Sequence, residues 1–181
     1  MNEETMRLLL RVTARISGLL FLVAFAGHGL RAVWPSDLAR RIEGLRAHFL
    51  LAFAGSHTIH LTLVITLAVT IGDHFLREFP RHGLAIGSFA YLLIYGLAIA
   101  ARVDIRTQRA VRIPILHSSA FQGFAAYFIW TVFALVFVGG VFRQPATYTP
   151  LAVAVLGALA LRLMARRRSS QPVSAVAEAS R

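Results

Sequence analysis

Four stretches of the chain, about residues 8–30, 47–71, 83–101 and 115–142, are long and mainly apolar. About 20 such residues cross the hydrocarbon core of a bilayer as a helix, which satisfies its own backbone hydrogen bonds where no water is present. A fifth run, about 150–164, is shorter and leads into "LRLMARRR", so Arg162 has to snorkel toward the interface if this segment spans. The expected fold is an all-α membrane protein, a bundle of about five transmembrane helices. Short loops predict antiparallel neighbours in a single transmembrane helical domain over residues 1–165. The remainder, 166–181, closes on the small, polar and aperiodic "SSQPVSAVAEASR" and is expected to be a disordered cytoplasmic tail.

The charges support a membrane reading. All 19 basic residues are arginine, against 8 acids, for a formal charge of +11. They cluster between and after the apolar runs, with Arg11 and Arg15 in the opening turns of the first, as topology signals do, and form no basic face of the kind that binds nucleic acid. Thirteen lie in the loops after the first and third runs and in the C-terminal tail, and six lie at the opposite end. The positive-inside rule then predicts a multi-pass protein of the cell inner membrane, N-terminus outside and C-terminus cytoplasmic. With no cysteine, thiolate-held clusters, disulfides and covalent haem attachment are excluded; with no lysine, so are Schiff bases and a P-loop. A prosthetic group would be held without a covalent bond, and histidine is the available soft-metal ligand.

The histidines of "AFAGSHTIHLTL" are therefore the chemistry-bearing feature of the second run. His57 lies 11 residues beyond Arg46, about 16 Å along a helix, and His60 shares its face at about 60°. An imidazole at that depth needs a partner, a cavity or a metal. His117, in "RIPILHSSAFQGFAAYFIW", opens the fourth run, which runs parallel to the second. Counted from Arg46 and Arg112, the two histidines differ in depth by about 9 Å, an offset that helix tilt can absorb. Facing imidazoles without thiolate or carboxylate suit a b-type haem with His57 and His117 as iron ligands, and His60 as the alternative to His57. Phe53, Phe121, Phe124, Tyr127 and Phe128 are available to wall it, and Arg46 and Arg112 to meet its propionates, although topology signalling alone also accounts for those two arginines. Zinc fits less well, because no acid lies within a run. His28 suits a cap or an interface; His74 and His82 suit solvent.

"R-x-x-x-R-x-x-G" (Arg11, Arg15, Gly18), then "RRIEGLRAHFLLAFAGSHTIH", then "ILHSSAFQGFAAYFIW" together resemble the ferric-reductase-like transmembrane domain, including the haem subunit of the bacterial methionine-sulfoxide reductase system. The resemblance covers roughly residues 11–142. It implies haem ligation by His57 and His117 and electron transfer in the membrane. Two-haem members carry another histidine 13 or 14 residues after the "LH", where this chain has Trp130 and Thr131, so one haem is implied. No flavin or nicotinamide motif follows.

The functional expectation is a membrane b-type haem protein that moves electrons across or within the inner membrane, supplied by a separate flavoprotein reductase or by quinol. The alternatives are a small transporter using the histidines for protons or cations, and a scaffold without a cofactor.

Overall fold

A computed structural model describes residues 2–72, 74–78, 81–106 and 113–169. Among the described residues the chain forms eight helices and no strand: α1 (Glu3–Val33), α2 (Asp37–Gly44), α3 (Arg46–Ile71), α4 (His74–Glu78), α5 (Arg81–Arg106), α6 (Pro114–His117), α7 (Ser119–Val141) and α8 (Pro145–Ser169). Five of them (α1, α3, α5, α7 and α8) are long and apolar enough to cross a membrane. The all-α bundle read from the apolar runs is the observed architecture.

The local chemistry explains where helices start and stop. Asn2 caps α1 by accepting from the Thr5 amide at 2.9 Å, and Glu3 and Glu4 then face the positive end of the helix dipole. Ser36 caps α2 in the same way. Gly72 ends α3 at φ 54°, in the left-handed region where a side chain is strained. α8 extends beyond the expected 150–164 at both ends, with Pro150 inside it. It includes residues 166–169, which were expected in the tail; residues 170–181 lie outside the described residues.

The fourth run departs from its expected form. Pro114 opens only a single turn, α6, and Ser118 then adopts an extended conformation (φ −67°, ψ 140°). Its hydroxyl accepts from the Phe121 amide at 3.1 Å and so caps a new helix, α7. His117 stands before this break instead of on the long helix.

Each long helix packs on the next, α1 on α3, α3 on α5, α5 on α7 and α7 on α8, and α8 returns to α1. The five form a closed ring. Gly29 permits the closest approach in that closure: a β-carbon there would stand 2.8 Å from the Leu161 backbone of α8. Phe21, Phe25, Phe53, Leu97, Ala125 and Ile129 fill part of the ring interior. Toward the N-terminal end of α1 the interior is hollow.

Candidate functional site

The hollow is a cavity of about 520 Å³. Its walls come from the first half of α1 (Arg7 to Arg15), the second half of α3 (His57 to Leu67), the first half of α5 (Gly83 to Ile94) and the later turns of α7 (Ile129 to Phe137), with Phe75 and Tyr148 adding to the lining. Most of these side chains are aliphatic or aromatic. The polar exceptions are three arginines, two histidines, two tyrosines and Ser88.

A ladder between α1 and α3 positions the histidines. Thr13, Ser17 and Phe21 recur every four residues on α1 and meet His60, Ser56 and Phe53 on the antiparallel α3: Thr13 Oγ1 lies 3.0 Å from His60 Nδ1, the Ser17 and Ser56 hydroxyls are 2.9 Å apart, and the two phenylalanine rings are 5.3 Å apart. The Thr13 hydroxyl has one proton, and its shortest acceptor is the Leu9 carbonyl at 2.8 Å. Its lone pair is thus left to accept from His60 Nδ1–H. In the tautomer with its proton on Nδ1, His60 donates to this hydroxyl and keeps the Nε2 lone pair free, on a side chain that lines the cavity. A metal-binding imidazole is commonly prepared in this way, by a hydrogen bond at its other nitrogen.

His57 is held differently. Its ring packs at 5.2 Å beside His60, at 4.9 Å from Tyr91 and at 6.0 Å from Phe133, and the Tyr91 hydroxyl donates to its carbonyl at 3.3 Å. Nδ1 of His57 is buried with no hydrogen-bond partner. The two imidazoles are nearly parallel, 23° apart, and lie side by side on one helix face. They therefore cannot take opposite faces of one macrocycle.

The expected partnership of His57 with His117 is not made. His57 is level with Phe133, which lies 14 residues into α7, or about 21 Å beyond its first residue. His117 lies on the far side of that start, where Nδ1 donates to the Ile113 carbonyl at 3.1 Å and Nε2 is 3.6 Å from Asp104. The 9 Å offset read from the sequence measured both helices from their flanking arginines, and the break at Ser118 makes that origin wrong for α7. Arg46 is also away from the cavity: with Asp104 and Gln122 it lines a small pocket between α3, α5 and α7. Arg112 lies outside the described residues.

Several residues to which the sequence reading gave other roles, or none, belong to the site. Arg7, Arg11 and Arg15 form one line on α1 and all border the cavity. Their i, i+4, i+8 spacing was visible, but it was read as topology and a helix-start pattern. Thr13, Tyr91, Phe133 and Tyr148 carried no comparable signal. Of the aromatics expected around a haem, Phe53 touches His57, whereas Phe124 and Phe128 cluster with Phe89 and Phe121 packs on Gly96. Trp130 has a structural task, donating to the Val155 carbonyl of α8 at 2.9 Å. Arg162 does not reach outward but lies over the rings of Phe25 (4.4 Å) and Tyr127 (5.0 Å). His28 bonds to Glu43 at 3.1 Å, and His74 and His82 are exposed.

The described residues contain no cluster of three or more histidine and carboxylate groups able to enclose a metal ion. The chain matches no family model, no curated protein and no solved structure.

Proposed function

We propose that this chain is a haem-binding electron-transfer protein of the membrane, with a single b-type haem in the cavity and one imidazole, His60, on its iron. The observation that carries the reading is the pairing of an apolar-walled hollow of about 520 Å³ with an imidazole whose Nδ1 lies 3.0 Å from the Thr13 hydroxyl. The bis-histidyl site does not fit this chain, since His117 lies at the far end of the bundle. A single-histidine site does fit. When bound, the haem supplies a one-electron couple whose potential responds to its axial ligand and its surroundings.

The remaining steps belong to the chain. Thr13 orients His60. Leu61, Val64, Ile94 and Phe137 line the cavity and would shield a bound group from water, and a low-dielectric wall of this kind sharpens every charge inside it. The arginines of α1 face the cavity where an acidic substituent needs a counter-charge. Electrons are supplied by a separate flavoprotein reductase or by quinol on the cytoplasmic side, with the N-terminus of α1 outside. A cation path is disfavoured by the same arginines, and a purely structural role leaves the hollow unexplained.

The test is an absorption spectrum of the purified full chain, oxidised and dithionite-reduced, after expression with ample haem. A reduced α-band of b-type haem is the expected result. A colourless protein under those conditions overturns the reading.

A further inference from the structure

Among the described residues, two arginines of the cavity have no counter-charge. Arg7 is bonded to Glu3 at 2.8 Å. Arg11 makes no hydrogen bond or ion pair among the described residues. Arg15 lies over the Tyr148 ring at 5.1 Å, and its Nε is buried without a partner. No aspartate or glutamate borders the cavity among the described residues. The line also stands at the end of the bundle away from Arg31, Arg40, Arg46 and Arg166, so the bias toward one charged end does not account for it. From Arg7 to Arg15 it advances eight residues, about 12 Å, from the end of the bundle toward the histidines.

Guanidinium groups beside apolar walls are stabilised by an anion that brings its own apolar body. From this arrangement we infer that Arg11 and Arg15 form an anion seat for an amphiphile bearing a carboxylate or a phosphate, whose body fills the cavity beneath. The seat goes beyond the haem reading, because it requires no iron and no imidazole. Haem propionates are one source of such a group, and a fatty acid or an acidic lipid headgroup is another. In either case the planar fork of Arg15 meets two oxygens, and Tyr148 stacks against its face.

The test uses the full chain in phosphatidylcholine nanodiscs, prepared without haem and titrated with iron-free protoporphyrin IX or its dimethyl ester, read by fluorescence. The diacid is expected to bind at least about tenfold more tightly than the diester, the scale of one charge-assisted contact. Arg11→Gln with Arg15→Gln should abolish the difference and leave diester binding in place, while the double Lys variant keeps most of it. Arg11→Gln alone, at an exposed position, serves if the double variant does not fold, and should narrow the gap several-fold. Equal binding of diacid and diester by the wild type overturns the seat, as does a preference that survives both Gln substitutions. Displacement of the diacid by oleate or phosphatidylglycerol assigns the seat to lipid anions as well; resistance to both assigns it to the porphyrin dicarboxylate. A chain that binds the iron-free diacid through its arginines but never ligates haem iron keeps this inference and refutes the haem reading alone.

Discussion

At the scale of single residues, the proposed site depends on the contact between Thr13 and His60. In the proposed site Thr13 gives its hydroxyl hydrogen to the Leu9 carbonyl and accepts from His60, which would leave Nε2 as the ligand nitrogen. Thr13→Val keeps the shape of the side chain but removes the acceptor. Haem affinity should fall by about 10- to 100-fold, the usual cost of losing such a partner. Thr13→Ser, which retains the hydroxyl, should restore most of it, and a haem-transfer titration measures both. The histidine pair was legible as a functional candidate, because imidazole within an apolar run demands a reason. The choice between His57 and His60 was not legible. It depends on which residue of another helix stands opposite, and no spacing within α3 contains that information.

At the scale of elements, two contacts govern how helices meet. Glu43 of α2 accepts from Arg31 at 2.6 Å and bonds His28 at 3.1 Å, which ties α2 to α1. The Arg31 hydrogen bond holds the Glu43 carboxyl below its ordinary value of 4.5, outweighing the opposing cost of burial, with a lesser lowering from His28. A lowered carboxyl pKa contributes stability that is complete above pH 4.5 and is lost as the pH falls through the lowered value. Because the pair is partly exposed, the contribution is under about 1 kcal/mol. Glu43→Gln should therefore lower the thermal midpoint slightly at pH 7, and the gap to wild type should close toward pH 3. Gly29 governs the other contact. Gly29→Val places methyl groups against the Leu161 backbone and should cost about 1–3 kcal/mol or separate α8 from α1, visible as a lower midpoint in detergent. The five long helices were legible from length and apolarity alone. The break at Ser118 was legible in principle, since a serine directly after "LH" offers an N-cap, but the continuous apolar pattern on either side outweighed it.

At the scale of the whole molecule, the ring packs tightly in one half and stays hollow in the other. Phe21 and Phe53 close the interior where the aromatic ladder ends, and beyond them His57, His60 and the α1 arginines line the hollow among aliphatic and aromatic side chains. A chain that only needed a stable bundle would continue the aliphatic filling, because each unfilled methylene costs contact energy. Counting residues from the loop arginines placed the site between α3 and α7. That measure presumes both helices begin at their charged flank, and α7 does not. The ring order also places α5 between α3 and α7, and the hollow lies where α1, α3, α5 and α7 all turn inward.

The most direct measurement is the haem content per chain, by pyridine haemochrome assay, of wild type, His57→Ala, His60→Ala and His117→Ala expressed with ample haem. The account predicts one haem in the wild type, its loss in His60→Ala, and its retention in His117→Ala and, with altered spectrum, in His57→Ala. Loss of haem in His117→Ala with retention in His60→Ala would contradict it.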